Sequence, residues 1–185
     1  MQHHPTILHR DNAALLIIDV QERLIKAMNN RNSVEGAIAI LQQGMEVLNI
    51  PTLITEQYPR GLGATVECIR AQNTAACVVE KTTFSCCGEQ NFWPALTAME
   101  RKQIIVTGME THVCVLQTVL DLINAGYQVH VPVSATCSRD DANRDNAIRR
   151  MEQAGAIITN VESVLFELLR AAGSDEFKTI SKLVV

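Results

Sequence analysis

Cys114, Lys81 and Asp19 have the side-chain types and the local settings for nucleophilic chemistry. Cys114 ends the stretch Gln103-Ile-Ile-Val-Thr-Gly-Met-Glu-Thr-His-Val-Cys114, where a short apolar strand runs into a turn and then a helix. A helix N-terminus presents unpaired backbone N–H groups and a partial positive charge, which favours thiolate over thiol. The same N–H groups can hold an oxyanion when sulfur attacks a carbonyl. Lys81 nearby would reinforce the anion and keep a neighbouring carboxylate charged. Asp19, facing the sulfur in a low-dielectric cleft, could accept the thiol proton and return it to a leaving group. Attack on an amide carbon would then give a tetrahedral species, expulsion of an amine and a thioester that water resolves.

Residues so far apart meet only if the fold gathers them, and strands alternate with helices along this chain. Ala13–Asp19 reads as a buried strand. Val34–Leu48 carries Val34, Ile38, Leu41, Met45 and Leu48 at helical spacing, and Pro51–Glu56 is a second strand before the turn-rich Gln57–Gly63. Ala75–Lys81 reads as the third strand, followed by a loop through Cys87-Gly88 and a helix around Trp93–Arg101. Gln103–Gly108 is the fourth, and its helix Thr111–Asn124 is stopped by Gly126. Tyr127–Val133 and Ala156–Asn160 complete the strands. Helices follow them over Asp141–Ala154, with Ser138 or Asp140 as cap and Gly155 as stop, and over Ser163–Ala172. Short, continuously apolar strands alternating with helices predict an α/β three-layer sandwich, a six-stranded parallel sheet with helices on both faces. Right-handed crossovers put every strand's C-terminal end on one edge, where such sheets bind ligands. Asp19, Glu56 and Lys81 end the first three strands, and the fourth leads to Cys114. Topology alone therefore brings four reactive side chains to one crevice.

Bulk properties narrow the reading. A chain of 185 residues is expected to form one domain over 1–185, and 47% apolar against 19% charged residues suffices for a substantial core. A formal charge of −4 with no stripe of Lys and Arg argues against nucleic acid as a partner. Met1 to Arg10 lacks a basic stretch followed by an apolar one, so no secretory signal is expected, and no apolar run reaches the roughly 18 residues of a membrane span. Cys68, Cys77, Cys86, Cys87, Cys114 and Cys137 show no paired C-x-x-C spacing, which points to reduced thiols in a cytoplasm.

Three separated motifs then carry a resemblance. Asp19 in Leu-Leu-Ile-Ile-Asp-Val-Gln, Lys81 in Val-Val-Glu-Lys-Thr-Thr-Phe-Ser and Cys114 in Gly-Met-Glu-Thr-His-Val-Cys-Val resemble, in order and over nearly the whole chain, the isochorismatase-like cysteine hydrolase family. That family includes nicotinamidases, N-carbamoylsarcosine amidohydrolases and ureidoacrylate hydrolases. The segments Thr55–Gly63 and Glu80–Cys86 are most similar to its isochorismatase domain-containing subgroup. The resemblance implies a catalytic triad of Asp19, Lys81 and Cys114 on a six-stranded parallel sheet. It also implies a non-proline cis peptide at Met109–Glu110, which would turn the Glu110 N–H toward an oxyanion shared with Cys114. Nicotinamidases place an Asp-x-His pair and a further His after the second strand to bind a metal. This chain reads Glu56-Gln57-Tyr58-Pro59 there, with no histidine between His9 and His112, so no metal site of that kind can be assembled. Isochorismatase chemistry proper, cleavage of a vinyl ether, needs no nucleophilic cysteine, and the presence of Cys114 points instead to an amide or related C–N bond.

Each assignment has a plainer rival. Asp19 reads also as a cap for the next helix, Lys81 as a solvated strand end, and Glu56 and Glu110 as salt-bridge partners rather than substrate contacts. His112 is two residues from Cys114, and i and i+2 point apart in a helical turn, so it orients or packs rather than acting as base. Gln21, Tyr58, Phe84 and Trp93 are candidates for lining the pocket, with core or rim packing as the alternative. Cys68, Cys77, Cys86, Cys87 and Cys137 read as structural. The expected protein is a hydrolase of a small amide-like molecule that needs no cofactor and forms a homo-oligomer, dimer or higher. Its rivals are a binding or regulatory protein that keeps the triad as a relic, and a thiol-redox protein with Cys137 resolving Cys114. Specificity would lie in the loops Gln57–Gly63 and Thr82–Phe92, which leave amide, ureide and imide substrates open.

Overall fold

The computed structural model describes residues 4–72 and 76–184. Its strands are β1 (Ala13–Ile18), β2 (Thr52–Gln57), β3 (Cys77–Lys81), β4 (Gln103–Met109), β5 (Gln128–Pro132), β6 (Thr136–Cys137) and β7 (Ile157–Thr159). Its helices are α1 (Arg31–Val47), α2 (Pro59–Leu62), α3 (Glu67–Arg70), α4 (Phe92–Thr97), α5 (Leu116–Asn124), α6 (Asp141–Gln153), α7 (Val161–Leu169) and α8 (Asp175–Ser181). The strands form one parallel sheet in the order β3-β2-β1-β4-β5-β7, with β6 pairing on β4 beyond the end of β5. With helices on both faces this is the three-layer α/β fold.

The central strand shows why the layers form. All six residues of β1 are buried, as expected where both faces of a parallel sheet are covered. Ala13, Leu15 and Ile17 pack into one apolar cluster, and Ala14, Leu16 and Ile18 into another. The first cluster takes Val34, Ile38, Leu41 and Met45 of α1 with the apolar faces of α7 and α8. The second takes Phe92 and Leu96 of α4, the buried face of α5, and Ala147 and Met151 of α6. The spacing predicted for α1 is thus the face it buries.

Several boundaries differ from the sequence-based expectation. Ala75, at the start of the expected third strand, lies outside the described residues, as do Met1 to His3. The helix expected from Thr111 begins instead as a π-helical turn over Thr111–Val115 that hands over to α5. Between the two cap candidates, Asp140 is the one used, its carboxylate accepting from the N–H groups of Ala142 and Asn143. Besides the four-residue helical turns α2 and α3, two further elements were unannounced. β6 spans only two residues, too short for any periodic signal, and α8 follows α7 after a break at Gly173, where φ is +98°.

Strand order reverses between β1 and β4, since β2 and β3 lie to one side and β5 and β7 to the other. That is the position at which open α/β sheets form a crevice. At its floor Ile18 pairs with Gly108 on one side and Thr55 on the other. Gly108 has φ of +113°, and a Cβ there would collide with the Ile18 backbone, so only glycine lets the two strand ends approach this closely.

Candidate active site

Asp19 is the first residue beyond β1 and takes φ of +55°, a left-handed conformation that Asp tolerates better than bulky residues do. Its carboxylate is fully buried. One oxygen accepts from the Thr55 hydroxyl at 2.7 Å, and the other from Lys81 Nζ at 2.7 Å. Lys81, the last residue of β3, is equally enclosed. Its ammonium also reaches Gln57 Oε1 at 2.6 Å and the carbonyl oxygens of Thr83 and Phe84, both at 3.2 Å. Burial works against the lysine charge, but Asp19 foremost, with the Cys86 and Cys114 sulfurs, more than compensates and holds its pKa above the usual lysine value.

Cys114 is 6% exposed and its thiol feels the charges of both Asp19 and Lys81, so strand ends that are far apart in sequence do bring Asp19, Lys81 and Cys114 together. One electrostatic expectation fails. Burial, and then the Asp19 carboxylate, push the thiol pKa up to about 12 against the opposing pull of Lys81. The resting group is a thiol. Dehydration and a facing carboxylate outweigh the helix terminus, and the terminus itself is a π turn in which the Val115 N–H bonds the Glu110 carbonyl at 3.2 Å. The Met109–Glu110 peptide just before it is cis.

The remaining candidates separate into two groups. Tyr58 and Phe84 stand 56% and 57% exposed, the first beyond β2 and the second beyond β3, as aromatic surface at the rim. Gln21, Glu56, Glu110 and His112 are engaged within the protein. The Gln21 amide nitrogen donates to the carbonyls of Gln57 and Gly63 while its oxygen accepts from the Gln57 N–H, which staples the Gln57–Gly63 loop. Glu56 accepts both the N–H and the hydroxyl of Thr65 at 2.7 Å. Glu110 accepts the N–H and the Nε of Arg139, at 3.0 and 3.1 Å. His112 Nδ1 lies 3.0 Å from the Ser138 hydroxyl, an orienting contact. Trp93 packs edge-on to Phe92 and donates its indole N–H to the Cys87 carbonyl.

Thr55 and Gln57 were missed by the sequence reading, although a signal existed. Side chains alternate along a strand, so the neighbours of Glu56 on β2 face the opposite way, toward Asp19 and Lys81. Among the cysteines, Cys137 lies in the apolar cluster on the far side of the sheet from Cys114 and is not placed to resolve it. Cys86 shares the Cys114 side and is fully buried, whereas Cys77 is exposed on β3. Among the described residues, no three or more His, Cys, Asp and Glu side chains are gathered as a metal ion would require. Among the same described residues, no helix is long and apolar enough to cross a membrane.

The family model for the isochorismatase domain matches residues 13–163. Isochorismatase family protein 1B of Dictyostelium discoideum is 36% identical over 178 residues, covering 92% of this chain and 84% of its own length. The structure of a MAR1 ribonuclease from Caenorhabditis elegans superposes with a TM-score of 0.91 at 35% identity, over 96% of this chain and 92% of that one. The YcaC gene product of Escherichia coli, described as an octameric hydrolase of unknown specificity, gives a TM-score of 0.92 at 25% identity over 99% and 92% of the two chains. Matched by the family model over most of its length and by a relative above one-third identity over nearly all of it, the chain belongs to the isochorismatase family.

Proposed function

We propose that the protein is a cysteine-dependent hydrolase of a small amide-like substrate, working through a thioester on Cys114. The observation that carries this reading is the buried Asp19–Lys81 ion pair beside the buried Cys114 thiol. Two charges taken out of water add little to stability, so their enclosure next to a sulfur favours a chemical role. As sulfur attacks the substrate carbonyl, Asp19 takes the thiol proton, which removes the need for a standing thiolate. The carbonyl oxygen becomes an oxyanion held by the N–H groups of Glu110 and Cys114. Collapse breaks the C–N bond, Asp19 returns its proton to the departing nitrogen, and an amine leaves. Water attacks the thioester, giving one proton to Asp19, and the acid departs as Cys114 regains that proton. Lys81 keeps its charge throughout and offsets that of Asp19. Nothing in this sequence calls on a cofactor. The family's hydrolase fold and the YcaC hydrolase support the broader activity.

In the same reading the chain is one domain, acts in a cytoplasm where its six free cysteines stay reduced, and self-associates as the octameric relative does. The C. elegans relative is called a ribonuclease, but a net charge of −4 and a mouth of Tyr58 and Phe84 suit a small molecule better than a phosphate backbone. One observation favours a second reading. A thiol held near pKa 12 is also what a silent triad in a binding protein would show. Mass spectrometry of Cys114 after exposure to a panel of amides and ureides separates the two. A hydrolase forms an adduct that turns over and is lost in Asp19→Asn and Lys81→Ala. A binding protein gives no adduct with any member.

A further inference from the structure

Cys86, read from sequence as structural, sits in the middle of a chain of hydrogen bonds that links Asp19 to Cys114. The Asp19 carboxylate acts on the Cys114 thiol through its charge. Asp19 Oδ1 accepts from Thr55 Oγ1 at 2.7 Å, and Thr55 Oγ1 accepts from Cys86 Sγ at 3.8 Å. The Cys86 N–H donates to Thr118 Oγ1 at 3.0 Å, and that hydroxyl donates to the Cys114 carbonyl at 2.7 Å. Asp19, Thr55, Cys86 and Thr118 are each fully buried, so no water competes for these bonds.

We infer that Cys86 is a positioning residue of the active site, acting through its thiol on Thr55 and Asp19 and through its N–H on Thr118 and Cys114. Three separate elements meet in it. Its loop carries the Thr83 and Phe84 carbonyls that cradle Lys81, β2 supplies Thr55, and α5 supplies Thr118. A second tie, Ser85 Oγ to Asp121 Oδ2 at 2.6 Å, fixes the same loop to α5 one turn further on. The thiol itself fits this role. Burial holds its pKa at about 11, so it stays protonated and keeps its hydrogen to donate. Thr55 Oγ1 has only one hydrogen, already given to Asp19, so it needs a donor on its other side, and Cys86 is that donor. This chain of bonds thereby prevents the carboxylate from rotating away from the sulfur it must deprotonate, while touching no substrate.

This role rests on the thioester reading above, and one assay separates the two. The full-length protein is acylated with p-nitrophenyl acetate, and the pre-steady-state release of p-nitrophenolate is followed as a function of reagent concentration. Attachment of the acetyl group to Cys114 is checked by mass. Cys86→Ala should lower the maximal acylation rate about tenfold with the half-saturating concentration unchanged, as loss of one hydrogen bond of about 1.4 kcal/mol implies. Cys86→Ser, which keeps a donor, should stay within about twofold of wild type. Thr118→Val should slow acylation comparably, and the double variant Cys86→Ala/Thr118→Val should be little slower than the worse single, because both break one chain of bonds. Wild-type rates in Cys86→Ala, a serine variant no better than alanine, or multiplying effects in the double variant would each overturn the positioning role alone. A wild-type protein that never carries acetyl on Cys114 would remove the hydrolase reading, and this role with it.

Discussion

Lys81 Nζ lies 2.7 Å from Asp19 Oδ2, and neither side chain has any exposure to solvent. Each charge is tolerable only because the other is there. Removing one member leaves the other charged and buried, which costs about 3–5 kcal/mol, whereas replacing both with apolar groups is often neutral. Lys81→Ala and Asp19→Leu are therefore each expected to lower unfolding free energy by about that amount, and Asp19→Leu/Lys81→Met to recover most of it. Urea denaturation of the four proteins checks this. Single variants as stable as wild type would mean that the pair is not buried in solution.

The charge of Asp19 acting on Cys114 gives two activities that should move in opposite directions. The carboxylate is second only to burial in holding the thiol up near pKa 12, and Lys81 pulls the other way. In Asp19→Asn the upward push disappears and the downward pull remains. Alkylation of Cys114 by iodoacetamide at pH 8 should therefore quicken, since it needs only thiolate. Hydrolysis should be lost, since in the proposed mechanism Asp19 is the base. Peptide-resolved alkylation rates beside turnover provide the measurement, and slower alkylation in Asp19→Asn would contradict the electrostatic account.

Sequence was informative where a pattern is local and where topology does the gathering. Six apolar residues in a row at Ala13–Ile18 announce a doubly covered strand, and a parallel sheet then puts Asp19, Lys81 and Cys114 on one edge whatever their separation. It was less informative about direction. Glu56 carries the charge and drew attention, yet its neutral neighbours Thr55 and Gln57 face the ion pair, because a strand turns successive side chains to opposite sides. It was silent about desolvation. The helix terminus near Cys114 was legible, but not the burial and the facing carboxylate that reverse its effect. Nor could spacing tell Cys86 from Cys137, which only the side of the sheet distinguishes.

Stability should fall away on both sides of neutrality. Burial lowers the His130 pKa from 6.5 to about 4, so the folded chain resists a proton that the unfolded chain accepts. Its contribution is complete above about 6.5 and is lost as pH falls toward 4. On the alkaline side Cys68, Cys87, Cys114 and Cys137 are raised from 9.0 to about 12, in each case first by burial. Their contribution is intact below about 9 and drains away as pH climbs toward 12. Unfolding free energies at pH 5, 7.5 and 10 should peak at the middle value, and His130→Gln should flatten the acid limb. An acid limb unchanged in that variant would assign it to other groups.

Two glycines should respond to the same substitution with opposite sign. Gly36 lies inside α1 with nothing near the position a Cβ would take. Gly36→Ala should stabilise by about 0.5–1 kcal/mol, because alanine loses less backbone freedom on entering a helix. Gly108 is next to last in β4 with φ of +113°, and its added methyl would meet the backbone of Ile18, which cannot move aside as a side chain can. Ile18 is the residue before Asp19, and Gly108 precedes the Met109–Glu110 peptide that leads to Cys114, so any separation of the two strands acts on both halves of the candidate site. Gly108→Ala should therefore cost more than about 3 kcal/mol and, in whatever fraction folds, slow Cys114 acylation as well. Thermal unfolding with acylation rates on the folded protein reads both effects. A Gly108→Ala protein with wild-type stability would mean that β1 and β4 separate easily at their ends, and the tight crevice that sets Asp19 against Cys114 would have to be abandoned.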